Sequence, residues 1–411
     1  MGVKLSMTIR RLCIIVCCSF SLFAGIAVAS EADAIAISQN IRARHMPFGV
    51  VVDPVFASPD SELIVSYTHC GDSAIWTGHY LAGEAFRYNV TRSAEALDNV
   101  KAALAGIASL LNVTGTNLLA RCLVPASSLD AKAIIQEESP NGIYQNTQFG
   151  YYWIGNTSRD QYSGVFFGLG VAYDLVDDPE VRKTIASLVT VLLDFLRGHN
   201  WFVTMPNGTI STTFVGRADQ QLSLLQVGRH VNADRFSSTY DLYRFVFAAL
   251  TIMPISFEVL NDESYFKFNL DSINLFNLIR LERSSFAGIY RDAYDVLRRH
   301  TANHQNAFFN MIDRALNGPS ETRDKETREI LAQWLLRPRR DVPTDLRGVY
   351  PACGAEGRAC APIPIVERAR TDFVWQRTPF QLVGQGSGTI ETAGIDYILP
   401  YWMARYYGVE Q

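Results

Sequence analysis

Three carboxylates stand where segments with helical patterning begin, and they are the side chains best suited to acid–base chemistry. Asp72 and Asp160 open two similar segments, and Glu391 lies in a glycine-rich turn before a last apolar segment. Hydrolysis of a glycosidic bond needs two carboxyl groups, one as an acid and one as a base or nucleophile. Each residue also has a structural explanation. Asp72 could be a helix N-cap, Asp160 could follow the better cap Ser158, and Glu391 could belong to a capping arrangement with Thr389.

Other polar and aromatic side chains occur near the same segment starts and in the loops before them. Aromatic faces suit the C–H faces of sugars, and amide or guanidinium groups suit their hydroxyls. The alternative is that the aromatic residues fill the core. His79 is better explained as a buried core histidine. The candidate binding residues are Trp76, Tyr152, Trp153, Arg159, Gln161, Tyr162, His304, Asn306 and Trp375.

The two similar segments indicate a repeated unit of two helices. Gly78 and Gly164 occupy matching positions 86 residues apart, each between a hydroxyl residue and an apolar run. Each segment is followed by an amphipathic helix with apolar residues every three or four positions. These helices are predicted over 93–111, with Ser93 as cap, and over 178–195, with Asp178 as cap and Pro179 at the first helical position.

The first member of each unit has many small residues and few charges, so we predict that it packs inside, with the amphipathic member outside. Two further pairs have weaker signals, and a last apolar helix covers about 393–407. Residues 62–67 could form a short strand, and the irregular stretch 338–389 is expected over a cleft. Helix N-termini meeting at one face of a helical toroid would favour anionic and hydroxyl-rich ligands. The further pairs are 240–260 inside with 270–281 outside, and 304–316 inside with 326–336 outside.

The first 29 residues resemble a cleavable export signal. Lys4, Arg10 and Arg11 precede an apolar run that ends in Ala27-Val28-Ala29. An uncleaved membrane anchor is the alternative. Removing the leader takes the formal charge from −4 to −7, which argues against nucleic acid or an anionic membrane as partner. We therefore expect a secreted or extracytoplasmic protein, with residues 30–411 as one domain.

The cysteines outside the leader fit an exported protein. Two disulfides are expected, and Cys70–Cys122 with Cys353–Cys360 is the simplest of three pairings. Free buried thiols are the alternative. No metal site or cofactor is predicted, because His69-Cys70 lacks a paired Cys-x-x-Cys. Sequons that a eukaryotic secretory route could glycosylate begin at Asn89, Asn112, Asn156 and Asn207.

The chain resembles the six-hairpin glycosidase-like superfamily, whose members are (α/α) toroids. The resemblance rests on the paired helices, on the segments 70–78 and 153–160, and on the closing segment 391–402. It implies an all-α, (α/α)6-type toroid of inner and outer helices with a loop-rich cleft. It also implies sugar chemistry at the N-termini of the inner helices.

The expected function is that of a glycoside hydrolase acting on an oligo- or polysaccharide, with Asp72 and Asp160 as the carboxylate pair and Glu391 able to replace either. A polysaccharide lyase is a second hypothesis. It would use Tyr162 or His304 as base and Arg159 or Asn306 to neutralise a uronate. The third hypothesis is a glycan-binding toroid without catalysis.

Overall fold

The computed structural model describes residues 29–261, 264–350, 358–368 and 376–410. Most of the predicted leader, Cys353 and Trp375 lie outside these ranges. The predictions of a Cys353–Cys360 disulfide and of a substrate contact by Trp375 therefore concern a part of the chain that the structure does not describe.

The described chain is mostly helical, which confirms the all-α prediction at the level of class. The helices are α1 Glu31–Asn40, α2 Ser73–Thr91, α3 Ala94–Asn112, α4 Ala131–Glu137, α5 Arg159–Leu175, α6 Pro179–Gly198, α7 Ala218–Val231, α8 Ala233–Phe247, α9 Ile252–Asn261, α10 Tyr265–Leu281, α11 Phe286–Thr301, α12 Ala307–Asn317, α13 Glu321–Leu335 and α14 Ile395–Tyr406.

Short antiparallel sheets lie in the segments before several buried helices. Strands β1 and β2 pair before α2, strands β3, β5 and β4 form one sheet in that order before α5, β6 pairs with β7 before α7, and β8 pairs with β9 before α14. The strand predicted at 62–67 corresponds to β2. The strands are β1 Asp53–Phe56, β2 Ile64–Thr68, β3 Cys122–Pro125, β4 Ile143–Asn146, β5 Tyr151–Ile154, β6 Phe202–Thr204, β7 Ile210–Thr213, β8 Thr344–Asp345 and β9 Val383–Gly384.

Six helices, α2, α5, α7, α10, α12 and α14, are buried along most of their length. Helix α2 contacts α5, α5 contacts α7 and α10, α10 contacts α7 and α12, α12 contacts α14, and α14 contacts α2. Each buried helix also contacts a less buried partner: α3 on α2, α6 on α5, α8 on α7, α11 on α10, α13 on α12 and α1 on α14.

Helices α2 and α5 approach so closely that glycine is required between them. A Cβ on Gly78 would collide with the carbonyl group of Gly164, and a Cβ on Gly164 would lie 2.8 Å from the Cα of Ile75. A Cβ on Gly168 would in turn collide with Gly78. Later residues of α2 thus meet later residues of α5, so the helices run parallel. The prediction that these two helices are adjacent, parallel and inside is confirmed.

The inner and outer assignment of the next pair was wrong. Residues 270–281 belong to the buried helix α10, and α8 buries only Phe236 and Tyr240. The buried face of α10 carries polar residues such as Asn274, whose amide donates to Ser163 Oγ at 3.1 Å. In the sequence, these polar residues gave α10 the pattern of an exposed helix. The pair 304–316 and 326–336 was predicted correctly, since α12 is buried and α13 is its outer partner.

Two further features concern the loops and the surface. The predicted Cys70–Cys122 disulfide is present and joins the start of α2 to β3, with its Cα atoms 5.5 Å apart. Among the described residues, the stretch Ala233–Leu260 is long and apolar enough to cross a membrane by length and composition, and its most apolar 18-residue window has a mean hydropathy of 1.5. Only 22% of its most apolar window is buried.

Candidate active site at the ends of the buried helices

Two cavities meet where the N-termini of α5, α7 and α10 come together. The smaller, called here the polar chamber, has a volume of about 250 Å³. Helix N-termini carry partial positive charge and unpaired N–H groups, which favours anionic and hydroxyl-rich groups at this position. The polar chamber is lined by Ser158, Arg159, Asp160, Thr212, Arg217, Gln220, Glu258, Ser264, Phe266, Lys267 and Leu270.

The larger cavity, called here the apolar groove, has a volume of about 750 Å³ and is bounded mainly by the loop before α7 and by α8 and α9. Arg217, Glu258 and Lys267 line both cavities, so the two are adjacent. The apolar groove is lined by Trp201, Val215, Gly216, Arg217, Ala218, Gln221, Tyr243, Phe247, Leu250, Met253, Pro254, Phe257, Glu258 and Lys267.

Arg217 organises the carboxylates between the two cavities. Its Nε and Nη2 donate to both oxygens of Asp219 at 3.1 and 2.7 Å, and Nη2 also donates to Asp271 at 3.1 Å. Its Nη1 donates to Glu258. Burial alone would lower the pKa of Arg217, but the three carboxylates outweigh burial and raise it. The guanidinium is therefore held in its charged form, and it fixes the position of Glu258.

The surroundings of Asp271 favour its protonated form. Burial, the adjacent charge of Glu258 and a hydrogen bond between the two carboxyl groups raise the pKa of Asp271 well above its ordinary value. Asp271 Oδ2 and Glu258 Oε2 are both buried, and no N–H or O–H group of the described chain donates a hydrogen bond to either oxygen. Two buried carboxyl oxygens without other donors are satisfied when a proton lies between them.

Asp160 lies in the first turn of α5, on the wall of the polar chamber. Ser158 and Gln161 form a capping box that fixes this turn, so Asp160 is not needed as the cap. Burial raises the pKa of Asp160, against the opposing charges of Arg121, Arg159 and Arg217. A carboxyl group with a raised pKa beside a cavity is suited to donate a proton.

Asp72 does not line the polar chamber, but Arg121 acts on both Asp72 and Asp160. Asp72 Oδ1 is 3.9 Å from Nη1 of Arg121, whose charge also acts on Asp160. Arg121 Nη1 and Gln161 Nε2 both donate to the carbonyl oxygen of Gly71, at 2.9 and 3.2 Å. Asp72 stands at the N-cap position of α2 without a capping hydrogen bond from its side chain, so the expected capping role is not observed.

Glu391, the third predicted carboxylate, contacts the N-terminal segment and lines neither cavity. It is buried, and its Oε1 accepts a hydrogen bond from Asn40 at 2.7 Å and lies 3.4 Å from His45 Nε2. Burial would raise the pKa of Glu391, but His45, Arg339 and Asn40 lower it to about 2. These contacts join the loop before α14 to the N-terminal segment and leave Glu391 outside both cavities.

Most of the predicted aromatic contacts are core residues. Trp76 packs on His79, and Trp153 stacks on Tyr144 with ring centroids 4.4 Å apart. Tyr162 is fully buried and its hydroxyl accepts a hydrogen bond from the Leu119 N–H. These three therefore do not line the site, and the alternative that aromatic residues fill the core applies to them. Tyr152 is half-buried in β5 and lines neither cavity.

The predicted polar binding residues also include some that line a cavity and others whose contacts are structural. Arg159 lines the polar chamber, and its Nη1 donates to the Thr213 carbonyl at 3.0 Å. Gln161 serves the capping box, and Asn306 caps α12 by accepting from the N–H groups of Phe308 and Phe309. His304 bonds to the Tyr265 hydroxyl, and burial lowers its pKa to about 4. Arg159 is thus the member of this group that the structure brings to Asp160.

His79 lies in the core as expected. Its Nδ1 donates to the Ile75 carbonyl at 2.8 Å, which leaves Nε2 as the acceptor for the Asn269 amide at 3.4 Å. Burial lowers its pKa to about 4, so it remains neutral.

Sequence reasoning missed most of the carboxylate cluster. Arg217 and Asp219 flank the first residue of α7, a buried helix that was not predicted, and Asp271 lies in the helix predicted as outer. Glu258 lies within an apolar segment, and an isolated acidic residue there was the one available signal. Among the described residues, no group of three His, Cys, Asp or Glu side chains could hold a metal ion.

A third cavity of about 550 Å³ lies near the end of α3 and has no charged residue in its wall. It offers no acid or base for catalysis. Comparison of the chain with models of protein families, with curated proteins and with solved structures found no match.

Proposed function

We propose that this protein is an exported glycoside hydrolase built on an (α/α)6-type toroid. The successive contacts of the six buried helices, with α14 against α2, support this architecture. The Cys70–Cys122 disulfide supports export, because disulfides persist in oxidising compartments. The observation that carries the catalytic proposal is the presence of Asp160 and Glu258 on the wall of one polar chamber.

The two carboxyl groups have different environments, as an acid and a base require. Burial raises the pKa of Asp160, which favours the protonated form that donates to a glycosidic oxygen. Glu258 is held by Arg217 and is the carboxylate that would activate water or attack the sugar. Asp72, the partner expected from the sequence, remains a candidate for the second role because the charge of Arg121 acts on both Asp72 and Asp160.

The geometry gives less support to a lyase. Tyr162 bonds to the backbone in the core, His304 bonds to Tyr265, and Asn306 caps α12. The bases proposed for that reaction therefore lie outside the polar chamber.

The test is a polysaccharide panel in which reducing ends and the absorbance of unsaturated products are read together. We expect reducing ends without unsaturated product. Asp160→Asn should lower turnover by about 10²–10⁴-fold, the usual contribution of general acid–base catalysis. Glu258→Gln should do the same, and both variants should keep a melting temperature near that of the wild type.

Asp72→Asn is the matched variant that tests Asp72, the carboxylate near Arg121, as the second carboxylate. If it lowers turnover as much as Asp160→Asn while Glu258→Gln does not, the second carboxylate is Asp72. Unsaturated product would establish a lyase. Binding of a glycan without turnover, unaffected by Asp160→Asn, would establish a non-catalytic protein.

A further inference from the structure

The apolar groove adjoins the polar chamber, and its wall is mostly apolar although Gln221 and Tyr243 also line it. Beyond the shared residues Arg217, Glu258 and Lys267, its sides are formed by groups such as Phe247, Leu250, Met253 and Phe257. Hydroxyls against these apolar groups would lose hydrogen bonds to water without replacement, which is unfavourable. A hydrocarbon chain would gain from the same transfer.

The same wall extends onto the surface of α8 and α9 as an exposed apolar face. We define this face by Leu242, Val246, Leu250, Met253, Phe257 and Leu260, which are spaced three or four residues apart and are 43–81% exposed. Contiguous exposed apolar surface on a protein usually marks a site of interaction with an apolar partner.

Charged residues in this stretch turn away from the apolar face. Arg244 pairs with Glu282 at 3.2 Å, and Glu258 bonds to Arg217 at the edge of the polar chamber. On the inner side, Ala248 and Ile255 are buried, and α8 and α9 pack on α7 and α11. This stretch thus has an apolar outer face beside a groove that ends in carboxylates, so a ligand with one polar and one apolar end matches both parts.

We propose that the substrate is an amphiphile in which a sugar carries a hydrocarbon chain. The sugar lies in the polar chamber beside Asp160 and Glu258, and the chain lies in the apolar groove along Leu250, Met253 and Phe257. The identity of this substrate as one to be hydrolysed rests on the proposed function, whereas its binding can be measured alone.

The test is equilibrium binding of hexyl, octyl and decyl maltoside by calorimetry, each below its micelle concentration. These ligands share one head group and differ by two methylenes. Burial of a methylene strengthens binding by up to roughly fourfold, so each step of two methylenes should strengthen binding by up to roughly fifteenfold. Equal affinity for all three would overturn the proposal.

Two variants separate the groove from the exposed face. Phe257→Asp places a charge in the groove wall and should abolish the dependence on chain length. Val246→Asp is the matched control, because Val246 belongs to the exposed face, with 52% exposure against 66% for Phe257, but does not line the groove. It should keep the wild-type dependence. Equal losses in both variants would mean that chains adsorb on the outer face, as a lipid surface would, and would overturn the groove assignment.

The proposed hydrolysis is read independently from reducing ends. Chain-length-dependent binding without hydrolysis of any head group would leave the amphiphile site standing and refute the hydrolase. Hydrolysis of soluble polysaccharide, together with maltoside binding that does not depend on alkyl chain length, would support the hydrolase and refute the amphiphile site.

Discussion

The charge around Arg217 depends on whether Asp271 is protonated. Asp219, Glu258 and Asp271 surround the single guanidinium of Arg217. Three ionised carboxylates would leave excess negative charge in a buried place. Protonation of Asp271 reduces this excess and lets it donate a hydrogen bond to Glu258. The cluster is therefore arranged to hold Glu258 in place next to the polar chamber.

The raised pKa of Asp271 predicts how the free energy of unfolding depends on pH. Because the pKa of Asp271 is raised in the folded state, the unfolded chain releases the proton of Asp271 at lower pH than the folded chain. The wild-type free energy of unfolding should then fall as pH rises above about 4, by up to about 1.4 kcal/mol per pH unit from this group. Asp271→Asn keeps a donor toward Glu258 and removes the titration, so its advantage over the wild type should grow between pH 4 and 7.

Urea unfolding at several pH values measures this difference, and Asp271→Ala is the control. The Ala variant also lacks the titration but cannot donate to Glu258, so it should be less stable than Asp271→Asn at every pH. A difference between wild type and Asp271→Asn that does not change with pH would show that Asp271 is ionised in the folded protein.

At the residue scale, the sequence identifies those site residues whose neighbours explain their position. Asp160 could be predicted because Ser158 already serves as the cap, which left Asp160 without a structural task. Glu391 looked equivalent, but its partners Asn40 and His45 are about 350 residues away in the sequence. Glu258 could not be assigned, since its partner Arg217 becomes a neighbour only after α7 and α9 have packed.

Glycine sets the distance between the two most closely packed helices. Gly78→Ala should destabilise the protein by roughly 1–3 kcal/mol or more, because the added methyl meets the rigid backbone of α5 at Gly164. Gly288→Ala is the control within another helix, α11, where no atom lies within 4 Å of an added Cβ. That change should be neutral or stabilise by up to about 1 kcal/mol, since alanine favours the helix. Thermal denaturation compares them, and equal effects would contradict close α2–α5 packing.

At the element scale, the predictions succeeded where polarity follows burial and failed where it does not. Helices α3 and α6 have apolar residues on one side and charges on the other, and the sequence locates them well. Helices α8 and α9 carry apolar residues on an exposed face, and α10 carries buried amides such as Asn274. A prediction from hydrophobic periodicity treats apolar residues as buried. It therefore placed the segment of α8 and α9 inside and α10 outside, the opposite of what the structure shows.

On the scale of the whole molecule, the first and last helices of the described chain contact each other. Helix α1 packs on α14, and Arg405 pairs with Glu31 at 2.6 Å. One hydrophobic cluster extends from Ala29 to Val409. The repeat of 86 residues indicated paired helices, but it could not indicate which segment pairs with the last helix. That partner precedes the first repeat and shares no pattern with it.

This closure predicts that the N-terminal helix is indispensable although it lies far from both cavities. Helix α1 and the turn after it bury Ile37 and Ile41, worth about 1.5–3 kcal/mol each. They also supply Asn40 and His45, without which Glu391 would be a buried carboxylate with fewer partners. These losses together approach the 5–15 kcal/mol that stabilises a typical protein. A chain beginning at Ser30 should therefore unfold in one cooperative transition, and a chain beginning at Met46 should not fold. Circular dichroism on heating compares the two. Equal melting temperatures would show that α14 is held without α1, and the proposed toroid would then lack its sixth helix pair.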